Sequence, residues 1–350
     1  MVSSTVFAAI AGYIGRPDAP GSVGIFRRDG ATGQWQHVLD DRETFCVYVH
    51  PEDPVRVFAG TPDGVWRSTD GGRRFGRASF PDENVQIWSF LSSSTNADLM
   101  YAGASPIGVY RSEDGGEHWE ALPTPNVPER CTGPFNSRVM RLVQVPGNPE
   151  ELYAALEIAG AMRTVDAGER WEDLGSDLVR LSAQPHLRSA IVQRDTEAEG
   201  MLDGHAMAIC AAAPDAVVLA CRMGLFATRD GGQTWDDMRV GRYSPTTYAR
   251  DVRTSPHDAQ TMYAALSVAA ASQDGGVYRS TDAGSSWARF DDVQVHGTIM
   301  SIAPSARCPG EFFFGARYNG ELFGTSDDGE SWSDISIPTA VKDLYSVACA

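Results

Sequence analysis

The chain has 350 residues, of which 42% are hydrophobic and 21% are charged, and its formal net charge is −17. This composition suits one large soluble domain or two small ones. The acidic surface argues against nucleic acid and anionic membranes as partners, because both carry negative charge, but it leaves room for a local basic pocket that takes a small anion.

The first ten residues, 1–10, are apolar and have no basic segment before them, so we predict a strand there and not a signal peptide. No apolar run approaches the roughly 20 residues that a membrane-spanning helix needs. The six cysteines show no CxxC or metal-ligand spacing, and most of them fall in apolar strand-like runs, which is typical of buried thiols. We therefore expect a cytoplasmic protein.

Six copies of one short phrase organise the chain. Each copy has a Ser or Thr, an Asp two positions later, a Gly two further on, and an aromatic residue three after the Gly. The copies begin at Ser68, Ser112, Thr164, Thr228, Ser280 and Thr325. Their aspartates are separated by 44 to 64 residues, which indicates an array of similar units.

The phrase is predicted to be a hairpin turn, since a strand-like run such as Gly64–Arg67 precedes it and a shorter run follows. Its Asp and Ser or Thr side chains can accept hydrogen bonds from turn N–H groups. Its Gly can adopt a positive φ without steric cost. Its aromatic side chain is expected to pin the returning strand to its neighbour. These residues are expected to build the fold and not to perform chemistry.

The units are predicted to be propeller blades with strands A to D, the phrase lying between C and D. Strand A of units two to seven is predicted to begin at Thr44, Gln86, Arg138, His205, Tyr248 and Thr298. The first unit lacks a strand A, and Lys342–Cys349 near the C-terminus has the matching pattern. We predict an all-β fold: one domain, residues 1–350, forming a seven-bladed β-propeller that the C-terminal strand closes by completing blade 1.

The phrase resembles the Asp-box, or BNR repeat, of a propeller family that includes sialidases, sortilin-type receptors, xyloglucanases and the photosystem II assembly-factor type. The resemblance covers nearly the whole chain and implies the propeller fold, but it implies no single activity. Sialidases use three arginines for the substrate carboxylate and an Arg-Ile-Pro motif that this chain lacks, so sialidase activity is not expected. Xyloglucanases pair two propellers, whereas one is predicted here, so a polysaccharide substrate is not expected either.

Two long connections lead from strand D of one blade to strand A of the next. One is Thr124–Ser137, and the other is an insert, 172–204, with a predicted helix at Ser176–Ser182 and an acidic segment at 195–200. In a propeller these connections share a face with the B–C loops, opposite the repeated phrases; we call it the top face. The insert is a candidate lid over that face.

Polar side chains are predicted to converge at the top of the hub. The strand A starts supply Gln86, Arg138, His205, Tyr248, Thr298 and Asp343, and one step deeper are Trp88, Met140, Met207, Arg250, Met300 and Tyr345. The ends of B strands add Glu157, Arg222, Arg317 and Tyr318, the neighbouring strand positions add Arg141 and Asp251, and the first loop adds Tyr13. Buried charges are costly unless they are paired or used. The arginines therefore either join blades through ion pairs or line a binding pocket.

Arg222 and Arg317, at equivalent places in two blades, are predicted to clamp a carboxylate or similar oxyanion. The other predicted substrate-binding residues are Arg138, Arg141, Arg250, Tyr318, Trp88 and Tyr345. His205 is the candidate general acid or base, because histidine titrates near neutrality. The other candidate catalytic residues are Tyr248, Glu157 and Asp251. No metal site is predicted, since the nearby histidines lack ligand spacing.

The predicted function is that of an enzyme that hydrolyses, or eliminates a group from, a small oxygenated and anionic metabolite in an axial pocket on the top face. No cofactor is expected, since the sequence has no phosphate-binding Gly-rich loop, dinucleotide fingerprint or serine nucleophile elbow. Two alternatives stay open: a non-catalytic binding or assembly platform, and a glycoside hydrolase with paired carboxylates such as Glu157 and Asp251. The sequence leaves the oligomeric state open.

Overall fold

Every β-strand in the described part of the chain belongs to a four-stranded antiparallel sheet. The structure, a computed structural model, describes residues 2–12, 15–16, 18–131, 134–187 and 198–350. The first fifteen strands are β1 (Val6–Ala11), β2 (Gly24–Arg28), β3 (Trp35–Leu39), β4 (Cys46–Val49), β5 (Val57–Thr61), β6 (Gly64–Ser68), β7 (Gly76–Arg77), β8 (Gln86–Ser92), β9 (Met100–Ser105), β10 (Gly108–Ser112), β11 (Glu120–Ala121), β12 (Arg138–Val145), β13 (Asn148–Glu157), β14 (Gly160–Thr164) and β15 (Glu172–Asp173).

Thirteen more strands complete the array. They are β16 (Gly204–Ile209), β17 (Val217–Cys221), β18 (Gly224–Thr228), β19 (Asp236–Asp237), β20 (Tyr248–Thr254), β21 (Met262–Ser267), β22 (Gly275–Ser280), β23 (Ala288–Arg289), β24 (Ile299–Pro304), β25 (Phe312–Ala316), β26 (Leu322–Thr325), β27 (Ser333–Asp334) and β28 (Asp343–Cys349). Blades 2 to 7 each take four consecutive strands from β4 to β27. The predicted all-β, seven-bladed propeller is thereby confirmed.

The C-terminal strand completes the first blade, as predicted. The strand order in blade 1 is β28-β1-β2-β3, and β28 pairs with β1 from Val6 opposite Cys349 to Ala11 opposite Asp343. Without β28, strand β1 would present unpaired backbone groups to the channel. The ring is therefore closed by hydrogen bonds between the two ends of the chain.

Apolar clusters join each blade to the next. The cluster between blades 2 and 3, for example, contains Phe58, Phe90 and Trp119, each no more than 6% exposed. Equivalent clusters lie between the other neighbouring blades. Because each blade buries its two faces against two neighbours, hydrophobic burial holds the ring together.

The six repeated phrases form the predicted turns between strands C and D. In each copy the Ser or Thr hydroxyl donates to the Asp at 2.7–2.9 Å and accepts the Gly N–H at 2.8–3.1 Å. The six glycines have φ between 74° and 98°, a region that other residues rarely adopt. The phrase therefore encodes a turn.

Acid is expected to destabilise the fold through these turns. Hydrogen bonds from Thr234 to Asp230 and from Ser331 to Asp327 lower the pKa of each carboxyl to about 2. Because the pKa of an unfolded Asp is about 3.9, the stabilisation is complete above that pH and is lost as the pH falls through the folded values. The urea midpoint should fall steeply between about pH 4 and pH 2. The double variant Asp230→Asn/Asp327→Asn should have a lower urea midpoint than the parent at pH 6, and its midpoint should fall less between pH 4 and pH 2. Identical pH profiles of the two midpoints would contradict this account.

The described part of the insert packs against blades 4 and 5. It forms α1 (Gly175–Ser182), where the helix was predicted, and α2 (Glu199–Leu202). Leu178 and Leu202 are fully buried in the cluster that joins these blades. Residues 188–197, which include half of the predicted acidic segment, lie outside the described residues, so the lid stays a prediction. Among the helices described, the longest has eight residues, far short of a membrane span.

Candidate functional site

A cavity of about 560 Å³ runs along the propeller axis. Its wall consists of the inner strands of all seven blades, from the level of Trp88 and His205 down to the A–B turns. At the A–B turns its lining residues Pro51, Pro146 and Arg307 are exposed, whereas Trp88 and His205 at the other end are no more than 4% exposed. The cavity therefore opens on the bottom face, which carries the repeated phrases. The cavity is axial, as predicted, but the prediction that it opens on the top face is wrong.

A ring of β-bulges forms the inner end of this cavity. Six of the seven inner strands have one unpaired residue at the same level, and all six unpaired residues line the cavity. They are Trp88, Met140, His205, Arg250, Met300 and Tyr345. Phe45 occupies the corresponding place in blade 2. A bulge turns an extra side chain out of the regular alternation, so the channel receives a complete ring of side chains at one depth.

The bulges correct the predicted alignment of blade 5. Gly204 pairs with Cys221 and Ala206 with Ala220, which leaves His205 as the bulged residue. His205 is thus equivalent to Arg250, one step deeper than predicted. The position equivalent to the strand A starts of the other blades is Asp203, just before β16, which the sequence analysis did not identify because the insert ends there and hides the register.

One half of the ring is aromatic and already packed. Phe45 stacks on Trp88 with centroids 4.2 Å apart, and the ring of Tyr345 approaches Trp88 edge-on at 5.9 Å. The guanidinium of Arg138 covers Trp88 at 3.9 Å. Both faces of Trp88 are therefore occupied, so it closes the inner end and is not available to stack on a ligand.

The other half of the ring leads to charged groups above it. Arg250 Nη1 lies 3.5 Å from Glu157 Oε1, and Arg138 Nη1 lies 2.8 Å from Glu157 Oε2. One carboxylate is thus shared between two guanidinium groups, and only Arg250 of the three lines the cavity. Arg250 brings a positive charge to the inner end.

A second pair of arginines lies closer to the mouth and shares Asp251. Arg141 Nη2 and Arg253 Nε each lie 3.1 Å from Asp251 Oδ1. Arg141 belongs to blade 4 and Asp251 to blade 6, so Arg141 crosses in front of blade 5, where Ala206 takes the equivalent place and leaves room. Burial and the charge of Arg253 lower the pKa of Arg141 to about 10, which leaves it protonated at neutral pH.

Asp251 is a structural anchor and does not line the cavity. It is 1% exposed, and besides the two arginines it accepts the backbone N–H groups of Val252 at 3.0 Å and Ile302 at 3.1 Å. Its carboxylate oxygens are therefore fully occupied. The predicted catalytic role has no geometry to support it.

His205 and Tyr248 are in contact, as an acid–base pair would require. His205 Nδ1 lies 2.7 Å from the carbonyl oxygen of Ala249, so Nδ1 carries the proton and donates it. His205 Nε2 lies 3.3 Å from both the Tyr248 hydroxyl and Asp203 Oδ2. In either protonation state Nε2 has a partner, so neither ring nitrogen is available to a ligand in the cavity.

Arg222 and Arg317 do not line the cavity, so the prediction that they clamp an anion in it is wrong. Both Nε and Nη2 of Arg222 contact Asp203 Oδ2, at 2.9 and 2.7 Å. Arg317 is 2% exposed and lies 3.5 Å from Asp343 Oδ2. The two positions are equivalent, since the N–H groups of Arg222 and Arg317 bond the carbonyls of Asp203 and Thr298. These arginines satisfy buried carboxylates at the top of the hub.

Five of the twelve predicted site residues line the cavity: Trp88, Arg141, His205, Arg250 and Tyr345. Tyr318 lies elsewhere, under the guanidinium of Arg16 at 4.4 Å, and Tyr13 lies outside the described residues. The sequence analysis missed Arg253 and Arg307, which both line the cavity. Regular alternation places Arg250 and Arg253 on opposite faces of strand β20, and only the bulge brings both to the channel.

No aspartate or glutamate side chain occurs among the described residues that line the cavity. A glycoside hydrolase needs two carboxyl groups that flank the bond to be cut. Glu157 and Asp251, the predicted pair, lie outside the lining, and each is held by two arginines. The axial cavity does not have the geometry of a glycosidase site.

One cluster in the described residues has the composition of a metal site. Ligand atoms of Glu157, Asp203 and His205 lie within 4.8 Å of one another, and all three residues are buried. However, Arg138 and Arg250 already bind the carboxylate of Glu157, and Arg222 binds that of Asp203. A divalent cation would have to displace these buried positive charges, so this donor set does not fit a metal.

No protein-family model matches the chain, and no curated protein matches it. Solved structures resemble it in fold. The GH74 xyloglucanase from Xanthomonas campestris superposes with a TM-score of 0.60 at 17% identity over 83% of this chain and 45% of that one. YCF48 from Cyanidioschyzon merolae gives 0.58 at 16% identity, covering 87% of this chain and 89% of that one.

A third similar structure is the β-propeller domain of Cps50 (Swd1) from Myceliophteria thermophila, with a TM-score of 0.59 at 12% identity over 87% of this chain and 88% of that one. At these identities the likeness shows the propeller fold alone. The chain spans less than half the length of the GH74 enzyme. Since the similar structures include both an enzyme and other propellers, they do not decide between the predicted functions, and the Asp-box family stays a resemblance.

Proposed function

We propose that this propeller binds a small organic anion in its axial cavity, entering from the bottom face. The observation that carries the proposal is the charge of the lining: Arg141, Arg250, Arg253 and Arg307 line the cavity without any acidic side chain among the described lining residues. In a chain with a net charge of −17, such a lining is unlike the rest of the surface. A cavity of about 560 Å³ is of the size that holds a metabolite.

The internal carboxylates do not neutralise these arginines. The carboxylate of Asp251 forms ion pairs with both Arg141 and Arg253. The carboxylate of Glu157 forms ion pairs with both Arg138 and Arg250. The group of Arg141, Arg253 and Asp251 therefore keeps one positive charge. The Nε of Arg141 is buried and has no hydrogen-bond partner within the described structure, so this guanidinium is not fully satisfied by the protein.

Binding is favoured over turnover because neither nitrogen of His205 is available to a ligand. It is also favoured over an assembly platform, because large exposed apolar patches are what mark protein–protein interaction sites. The exposed large apolar side chains of the described residues lie far apart along the chain and in different blades. They are Val55, Val165, Tyr243 and Val268.

Arg141→Gln is expected to weaken anion binding about tenfold or more, since it removes a charge-assisted hydrogen bond of about 1.5–3 kcal/mol. Calorimetric titration with butyrate, succinate and inorganic phosphate measures the affinity at low and at higher salt, where binding should weaken. Arg67→Gln is the matched control: its side chain is also 19% exposed, but it pairs with Glu117 and does not line the cavity. Absence of binding by all three anions, or equal losses in the two variants, would refute the proposal. Recovery of the anion unchanged distinguishes binding from turnover.

A further inference from the structure

We propose that the anion bound in the axial cavity is a carboxylate with an apolar body, an alkyl or aryl carboxylic acid. This inference rests on the proposed anion binding and specifies its ligand class. The cavity differs in character across its width. The arginines that line it gather on the side of blades 6 and 7, whereas the described lining residues of blades 2 and 3 include no arginine, lysine or acidic side chain.

The charged side of the cavity is built around one strand. Arg250 and Arg253 both belong to β20 of blade 6. The guanidinium of Arg141 reaches the same strand, since its Nη2 lies 3.1 Å from Asp251 Oδ1. Arg307 lies between β24 and β25 of the neighbouring blade 7. Blades 2 and 3 lie opposite blade 6 in a closed ring of seven, so a ligand that contacts these arginines turns its other side to blades 2 and 3.

Arg253 has hydrogen-bond donors that a carboxylate can use. Its side chain is 31% exposed, and its Nε lies 3.1 Å from Asp251 Oδ1 and 3.3 Å from Oδ2. Its terminal nitrogens, Nη1 and Nη2, make no hydrogen bond to any described residue. Since guanidinium groups bind carboxylates through such paired N–H groups, the anionic end of the ligand belongs on this side of the cavity.

The opposite wall presents apolar surface at the depth of Arg253. Tyr48 of β4 and Leu91 of β8 stand three residues beyond the bulge level of their strands, as Arg253 does on β20. Both are half-buried and line the cavity, and so does Val49 beside them. A ligand held by Arg253 therefore faces aliphatic and aromatic side chains across the channel.

The hydroxyl groups and the imidazole on this opposite wall are already bonded within the protein. Ser89 donates to a backbone carbonyl of blade 4 at 2.7 Å, and Ser94 donates to a glutamine side chain of blade 4 at 2.7 Å. The hydroxyls of Ser92 and Tyr48 lie 2.7 Å apart, and His50 Nε2 donates to a backbone carbonyl of blade 3 at 2.9 Å. Hydroxyl groups of a ligand would lose water there without a partner, whereas an apolar body would bury apolar surface.

The test is calorimetric titration of the full chain with butyrate, hexanoate, benzoate, gluconate and inorganic phosphate. Affinity should rise about fourfold for each methylene that is buried, so we expect hexanoate to bind at least tenfold more tightly than butyrate. Gluconate has the six carbons of hexanoate and five hydroxyl groups, and it should bind at least tenfold more weakly. The tighter binder of hexanoate and benzoate distinguishes an alkyl from an aryl body.

Equal affinities for hexanoate and gluconate, or no rise from butyrate to hexanoate, would overturn the apolar body and leave the proposed anion binding intact. Absence of binding by all five anions would refute both proposals. These outcomes are read on the parent protein, so they do not depend on the folding of any variant.

Leu91→Asn locates the apolar side of the ligand. It places an amide on the wall opposite Arg253, so it should lower the affinity for hexanoate at least fivefold and change that for phosphate less than about twofold. Leu99→Asn is the matched control, because Leu99 is also half-buried and packs against the same apolar cluster but does not line the cavity. Equal losses of hexanoate affinity in the two variants would show that the ligand does not contact this wall, and the inference would fail.

Discussion

Deletion of residues 343–350 is expected to abolish folding of the propeller. The deletion removes β28, which pairs with β1 along its whole length and buries Leu344 and Val347 between blades 7 and 1. Each buried side chain of this size contributes about 1.5–3 kcal/mol, and the loss also exposes β1 as an unpaired edge. Together these losses reach the roughly 5–15 kcal/mol that stabilises a typical domain. Circular dichroism, thermal unfolding and size-exclusion chromatography should show an unfolded or aggregated chain without a cooperative transition.

A circular permutant is the control for this deletion. The Ala350 N–H donates to the Thr5 carbonyl at 2.9 Å, so a short Gly–Ser linker can join residue 350 to residue 2. New ends can be placed between Thr339 and Ala340, both exposed. All four strands of blade 1 then follow one another in sequence, and the permutant should melt within a few degrees of the parent. A deletion variant that unfolds cooperatively at the parent's temperature would show that ring closure is dispensable.

Asp251→Asn is expected to lower the free energy of unfolding by about 3 kcal/mol. The substitution keeps the shape but leaves Arg141 and Arg253 without their shared negative charge, and breaking a buried ion pair costs about 3–5 kcal/mol. The lower end of this energy range applies because the side chains of Arg141 and Arg253 are 19% and 31% exposed, so water partly screens their charges. Urea denaturation of parent and variant measures the difference.

The same substitution should strengthen anion binding, since it adds one net positive charge beside the cavity. Stability and affinity are thus expected to change in opposite directions, which simple damage to the fold would not produce. The control is Asp98→Asn, because Asp98 pairs with Arg56 at 2.9 Å but is 63% exposed and should cost less than about 1 kcal/mol. A loss of both stability and affinity in Asp251→Asn would contradict the assignment of Arg141 and Arg253 to the binding site.

The repeated phrase shows how local chemistry carries the fold. Its hydroxyl, carboxylate and glycine act within five residues of one another, so each turn forms by the same contacts in every blade. The number of phrases and the spare strand at the C-terminus are also properties of the sequence. For these reasons the number of blades, the position of the turns and the closure of the ring followed from the sequence alone.

The candidate site depended on contacts between distant parts of the chain. The bulges that bring His205 and Arg250 to one level arise where strands pair, and regular alternation cannot reveal them. The pairing of Arg222 with Asp203, and of Arg141 with Asp251 across blade 5, decided which arginines are satisfied. Neither pairing is visible in the order of residues.

The sequence by itself determined the propeller, because turn chemistry and strand patterns act over short distances and repeat in each blade. Only the tertiary structure decided which charges meet the axial cavity and on which face it opens. The physical reason is that a charged side chain is satisfied by whatever neighbour the closed ring places beside it, and that neighbour can be more than 100 residues away, as Asp251 is from Arg141.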